Sequence, residues 1–298
     1  MSRPDIKSSL TDSAGGYTVP EPLATSMFEN IANASAIIPF LTKLPMTSAT
    51  LRMNALDDDV VWTWVDGEGG TKTTSNESHR QITLTAYEIA IIVKITDILL
   101  EDANIAFDAL IRKEIETQLL AALEQSYLGY FAGTPFAQTI SGSCPVANTV
   151  ASGTYADVVA DCSQILNRLE ANGFTDNISF ATHPTVKAIF RDLRDLDGHP
   201  LFQPSDSVGK EPATLFGYPI RFSRNFQQVG SPAGYELIVA DWSYLFEGVR
   251  NAMNLKMFDS GVVGDDNLIT EDKIAIRAKI RRGFAIRDVN AIAKVTGL

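Results

Sequence analysis

Asp57 to Ile95 reads DDDVVWTWVDGEGGTKTTSNESHRQITLTAYEIAIIVKI, two strand-like runs separated by a polar loop. Val60, Val61, Trp62, Thr63, Trp64 and Val65 are strand formers, while Asp66 to Ser78 is too polar and glycine-rich to fold on itself. In the return run the apolar residues Ile82, Leu84 and Ala86 fall on even positions, and then Tyr87, Ile89, Ile91, Val93 and Ile95 fall on odd ones. Side chains alternate faces along a strand, so this change of phase predicts a bulge, or a strand that leaves one packing environment and enters another. Two readings are open. The stretch is an arm rooted in a core and projecting from it, or a hairpin with a long slack loop, and loops beyond ~12 residues are uncommon unless functional or mobile.

The surrounding chain has 298 residues, enough for about two domains and a substantial core. Hydrophobic residues make up 45% and charged residues 20%, an ordinary globular composition. No apolar run approaches the ~20 residues of a membrane span, and Met1 to Leu10 lacks the apolar centre of a signal peptide, so no membrane partner is expected. A net charge of -11 argues against phosphate binding as the main task of the surface, without excluding local basic patches. Cys144 and Cys162 cannot form a disulfide framework or a four-thiolate zinc site. Cys162 falls on the apolar face of an expected helix and reads as a small buried hydrophobe.

Downstream of the ribbon, Asn104 can cap a long helix running to about Phe131. Ile105, Phe107, Leu110, Ile111, Ile115, Leu119, Leu120, Leu123 and Tyr127 recur near helical spacing, and at ~1.5 Å per residue the helix would reach about 40 Å, a structural spine. Upstream, Leu23 to Ile31 is a short helix candidate. Gly133 to Gly153 is turn-rich and marks a domain boundary. Helices ending at Ala171 and spanning Pro184 to about Leu193, with strands at Ile178–Ala181, Pro219–Phe222 and Glu236–Ala240, predict an α+β domain with a mixed sheet. In the last strand Ile274, Ile276 and Ile280 share one face, and Lys273, Arg277, Lys279 and Arg281 share the other. The basic face reads as a solvated edge or subunit contact in preference to a nucleic-acid site, because aromatic interleaving is absent and the chain is acidic.

No sequence motif with a catalytic mechanism is present: there is no G-x-S-x-G elbow, Walker loop, H-E-x-x-H or paired C-x-x-C. Gly67-Glu68-Gly69-Gly70 lacks the helix and third spaced glycine of a phosphate loop. Consecutive Asp57, Asp58 and Asp59 point to alternate faces in an extended chain and read as a charged hinge, not a metal site. His79, His183 and His199 have no partner that sequence can place. No catalytic, cofactor or metal residue is therefore expected, and no cofactor.

The order of these elements resembles the major capsid protein of tailed bacteriophages over nearly the whole chain. The local signatures are Gly15-Gly16-Tyr17-Thr18-Val19-Pro20, His183-Pro184 followed by Arg191 to Gly198, Leu215 to Ile220, Val239-Ala240-Asp241-Trp242, and Ile276-Arg277-Ala278. The resemblance implies the Hong Kong phage type capsid fold: an N-terminal arm (1–46), an extended loop (47–95), a peripheral domain with the spine helix (96–150), an axial domain (151–258) and C-terminal strands returning to the peripheral domain (259–298). It also implies self-assembly into hexamers and pentamers of an icosahedral phage head built in the host cytoplasm. Portal and scaffolding proteins, and packaged double-stranded DNA held by weak non-specific contact, would be its partners.

On this reading Trp62, Trp64, Glu68, Lys72 and Arg80 of the extended loop contact neighbouring subunits, and Lys273, Arg277, Lys279 and Arg281 form an intersubunit or inner-surface basic strand. Family members that crosslink themselves use a loop lysine, an asparagine before the Ile-Arg-Ala segment and a glutamate after it. Lys72 supplies the first, but the other positions hold Asp272 and Lys279. An ionised carboxylate is a poor electrophile and a lysine there is no base, so no autocatalytic isopeptide bond is expected. No helical scaffolding segment precedes the arm, so scaffolding is expected to have been removed or to be a separate protein. The alternatives are an encapsulin-type shell enclosing a cargo enzyme and, more distantly, an enzyme with a lid loop.

Overall fold

The computed structural model describes residues 35–56, 64, 79–98, 107–152, 158–193, 214–230 and 233–298. The arm 1–34 with its helix candidate, most of the ribbon's outer part and His199 lie outside these residues. Strand β1 (Thr42–Pro45) leads to the hairpin β2 (Thr50–Leu56) and β3 (His79–Thr85), then β4 (Tyr87–Thr96) and helix α1 (Phe107–Leu128). There follow β5 (Thr149–Ala151), α2 (Val158–Ala171), β6 (Ile178–Thr182), α3 (Val186–Asp192), β7 (Thr214–Leu215), β8 (Tyr218–Phe222) and β9 (Leu237–Asp241). The chain then forms β10 (Leu245–Phe258), the short pair β11 (Val262–Val263) and β12 (Asp266–Asn267), β13 (Lys273–Ile286) and β14 (Ile292–Thr296). The architecture is α+β.

One sheet has the order β5-β14-β9-β6-β8-β7. Its central strands β6 and β9 are buried at every position, because both faces are covered. Leu237 and Val239 face a core built with Val158, Cys162, Ile165 and Leu169 of α2. Ile238 and Ala240 face a second core that holds Leu123 and Tyr127 of α1 together with Trp242. Cys162 is thus a packing residue, and burial pushes its thiol up to about 12.

The other main sheet has the order β1-β10-β13-β4. Helix α1 crosses one of its faces: Ile111 and Ile115 pack with Val93, Ile95, Leu255, Ile276 and Ala278, and further along Tyr127 stacks on Phe284 at 4.8 Å. At 22 residues the helix spans about 33 Å at ~1.5 Å per residue, somewhat less than expected. It stops because Gly129 takes φ +97°, which lets the Gly129 and Tyr130 amides both donate to the Gln125 carbonyl, at 3.0 and 2.9 Å.

The change of phase at Ala86 is a change of sheet. β3 pairs with β2, while β4 pairs with β13 from Tyr87 to Thr96. The strand pairing adds detail to three expectations. Strand Thr50–Leu56 is in register with His79–Thr85; of the expected run Val60–Val65 only Trp64, which is in no strand, is described, and the rest lies outside the described residues. Residues 245–258, assigned to the axial segment, form β10, which pairs with β13 along its length, because the chain passes from β9 through a single 3-10 turn at Trp242–Tyr244 with no glycine or proline to break it. The C-terminal strands do not return together: β13 joins the four-stranded sheet, but β14 lies between β5 and β9 in the six-stranded one.

A buried polar cluster ties the end of α1 to the six-stranded sheet. The Glu236 carboxylate, 3% exposed at its side chain, accepts from Lys294 Nζ at 2.8 Å, from Ser141 Oγ at 2.6 Å and from Tyr130 OH at 2.6 Å. Lys294 also donates to the Ser141 carbonyl at 3.0 Å, so the buried cation is fully engaged. Burial and the facing carboxylate hold the Tyr130 hydroxyl protonated far above the usual tyrosine range. Removing one partner of such a pair strands the other. Glu236→Ala is expected to destabilise the protein by about 3–5 kcal/mol in urea unfolding, with Glu236→Ala/Lys294→Met recovering part of the loss.

Candidate assembly surface

The ribbon's root rests on the face of the four-stranded sheet opposite α1. Leu51, Met53, Ala55, Ile82 and Leu84 of the hairpin pack there with Leu44, Met46, Phe246 and Ala285. The close approach is made possible by two glycines directly opposite each other, Gly248 on β10 and Gly283 on β13. A Cβ on Gly283 would lie 2.9 Å from the Thr85 carbonyl oxygen, and one on Gly248 would lie 2.4 Å from Met46 Sδ and 3.1 Å from a Leu84 methyl. Glycine within a strand signals such an approach, so the "RRGF" interruption at Gly283 was the available clue to residues that spacing did not single out.

Beyond the glycine pair the same sheet face becomes basic. Register places Lys256 beside Arg277 and Asn254 beside Lys279 on one side, and Lys94 beside Ala275 and Glu88 beside Arg281 on the other. Lys273, Arg277, Lys279 and Arg281 are therefore brought onto one face. Arg281 Nε donates to Glu88 at 2.6 Å, and this bond, ahead of the charges of Lys279 and Arg277, holds the Glu88 carboxyl below its usual range. Lys273 bonds Glu271 and, at 3.2 Å, Asp266, which raises the lysine; Lys94 and Lys273 together hold Asp266 low. Arg277 lies over the Phe258 ring at 4.9 Å. Among the described residues Lys256, Arg277 and Lys279 form no ion pair, leaving the face net positive on an acidic chain.

Beside this face, edge strand β4 exposes large apolar side chains, with Ile91 37% and Ile92 48% accessible. Of the loop residues expected to contact neighbours, Arg80 lies on β3 and donates to the Arg287 carbonyl, and Trp64 is fully exposed. Trp62, Glu68 and Lys72 lie outside the described residues. Among the described residues no group of acidic, histidine or cysteine side chains is placed to hold a metal. Asp272 adopts φ +45° just before β13, and Lys279 lies within the basic face. The arrangement places a rooted ribbon beside a charged sheet face.

Residues 15–297 match the family model described as the phage capsid family. The chain belongs to the phage capsid family. Membership makes it a structural protein of a bacteriophage capsid. No curated protein matches the chain. Among solved structures, a chain from Microbacterium phage Oxtober96 is similar with a TM-score of 0.81 at 22% identity, covering 96% of this chain and 99% of that one. A chain from Mycobacterium phage Bobi gives 0.76 at 20% identity, covering 96% and 98%. A chain described as the capsid of a native GTA particle computed with C5 symmetry gives 0.75 at 17% identity, covering 98% and 99%. The fold is the Hong Kong phage type capsid fold.

The glycine pair separates two outcomes. Gly283→Ala sets a Cβ against backbone that cannot rotate away, and is expected to cost about 1–3 kcal/mol in chemical denaturation and to expose the hairpin root to protease. Gly248→Ala meets flexible side-chain ends and should cost less.

Proposed function

We propose that this chain is the repeating subunit of an icosahedral phage head, assembling as hexamers and pentamers around double-stranded DNA with portal and scaffolding proteins. The observation that carries the assembly reading is the pairing of a rooted ribbon with an unneutralised basic sheet face on the same chain. The ribbon's outer part is acidic at its base and tip, with Asp57, Asp58, Asp59, Asp66 and Glu68, and it carries Trp62 and Trp64. Charge complementarity makes Lys256, Arg277 and Lys279 of a neighbouring subunit the receiving surface, with the tryptophans supplying apolar contact. The division into arm, loop, peripheral and axial parts applies with the strand exchanges noted above, and assembly takes place in the host cytoplasm.

The joint is noncovalent. Asp272 and Lys279 stand where self-crosslinking relatives need an amide acceptor and a carboxylate base, and neither can take that role.

Electron microscopy of the purified protein is expected to show shells or capsomers, which boiling in detergent reduces entirely to monomer. Covalent ladders would overturn the noncovalent joint, and no shell, ring or capsomer under any assembly condition would overturn the subunit reading. Lys256→Glu/Arg277→Glu/Lys279→Glu should fold yet fail to assemble; assembly at wild-type level would remove the basic face from the joint. Shells that copurify with an enzyme instead of nucleic acid would favour an encapsulin-type compartment.

A further inference from the structure

Glu124 on α1 is completely buried, yet it has no cation partner among the described residues. One carboxyl oxygen, Oε2, accepts the Ala36 amide at 3.1 Å, at the point where residues 1–34 enter the described fold. The side chains of Ser35, Ser223 and Asn225 surround the carboxyl, so the groups that bond it are all neutral. Three elements meet here: the chain entry before the 3-10 turn Ile38–Phe40, the spine helix, and the turn beyond β8. Among the described residues no other titratable group on those elements bonds the Glu124 carboxyl. Arg221 lies over the Phe40 ring at 5.1 Å with its buried Nε unpartnered, Arg224 is exposed, and Tyr127 and Tyr130 donate to Glu247 and Glu236.

Among the buried atoms of the described residues left without a partner at hydrogen-bonding geometry, three at this junction are complementary. They are Glu124 Oε1 and both polar atoms of Asn225, itself fully buried. An ionised carboxylate only accepts, whereas a protonated one carries an O–H donor. A neutral acid facing an amide satisfies both groups, with its O–H donating to Asn225 Oδ1 while Asn225 Nδ2 donates back. The ionised form leaves Oδ1 without a donor and buries a charge that only neutral groups among the described residues offset.

We propose that Glu124 and Asn225 form a proton-dependent clasp that ties the chain entry at Ser35–Ala36 to the spine helix and to the turn beyond β8, closed while Glu124 is protonated and loosened when it ionises. Burial raises the Glu124 carboxyl above its usual range in the closed state, and the neutral hydrogen bonds offset this only in part. In the open state it titrates as an ordinary carboxylate. Below that ordinary value both states are protonated and the clasp is fully closed. As pH rises from the ordinary to the raised value, opening increases by up to about tenfold per pH unit, and above the raised value it changes no further. The clasp therefore governs how firmly the root of the N-terminal arm is held.

Hydrogen exchange on the full-length protein from mildly acidic to mildly alkaline pH, corrected for intrinsic exchange, tests this. The wild-type amides of Ala36, Ile37, Ile38, Phe40 and Leu41 are expected to lose protection as pH rises above the ordinary carboxylate value, while β13 amides keep theirs. Glu124→Gln, which cannot ionise, should show no such loss. Parallel pH profiles in wild type and Glu124→Gln would overturn the proposal. If the variant does not fold, wild type labelled with 13C-carboxyl glutamate decides alone: the infrared band of a neutral buried acid must vanish over the interval in which Ala36 to Leu41 lose protection, and either change without the other overturns the clasp.

Discussion

Two missing side chains set the geometry on which the rest of the molecule depends. Gly248 and Gly283 lie opposite each other in the β10–β13 ladder, and the space above them lets Thr85, Leu84 and Met46 reach the sheet. Because the Thr85 carbonyl would be 2.9 Å from a Cβ at Gly283, the contact is backbone against backbone and admits no other residue without movement. The hairpin Thr50–Leu56/His79–Thr85 is seated on the sheet by close packing, whose low compressibility fixes its orientation there. One residue beyond Thr85 the chain changes partner, from β2 to β13, so the same strand run that forms the ribbon also closes the edge of the sheet beneath it. Ribbon direction and sheet edge are one mechanical unit.

The spine helix joins this unit to the six-stranded sheet, and it does so with polar as well as apolar contacts. Tyr127 donates to Glu247 of β10 at 3.2 Å, with Arg282 at 3.5 Å from the same oxygen, and one turn later Tyr130 donates to Glu236. Burial raises the Glu247 carboxyl, and the Arg282 charge offsets part of that rise. Apolar contacts would tolerate small slides of helix on sheet, but each of these hydrogen bonds has one partner at one distance. Such a buried network costs desolvation, the more so because Arg282 Nε and Nη1 find no hydrogen-bond partner, and in return it favours one arrangement of helix and sheets.

Much of this was legible in the sequence where periodicity was strong. The apolar repeat Ile111, Ile115, Leu119, Leu123 and Tyr127 marked the spine, the alternation of Ile276 and Ile280 with Arg277 and Lys279 marked the basic face, and the phase change at Ala86 marked the change of sheet. Other features left weaker traces. Thr50–Leu56 alternates only through Leu51, Met53 and Ala55, a weaker pattern than the Val60–Val65 run, most of which lies outside the described residues. The division of strands between sheets is set by long-range pairing, which no local signal carries: β10 follows β9 after one short turn yet belongs to another sheet. Glu88, Lys94 and Lys256 join the basic face only through register, and register across separate strands is invisible one chain segment at a time.

The charge distribution resolves an apparent conflict between a net charge of -11 and a positive sheet face. At physiological salt, exposed charges act over about 8 Å, so the chain's net charge and its local patch operate independently. The net charge keeps free subunits apart in solution, while the patch is felt only by a surface already brought into contact with it. Screened pairs of this kind choose between partners and registers more than they hold them. In a capsid holding strength can instead come from repetition, since many equivalent contacts on every subunit convert each later contact into an intramolecular event. Weak single contacts with strong collective binding let a misplaced subunit leave before its neighbours lock it in, which a closed shell requires and a single tight interface would prevent.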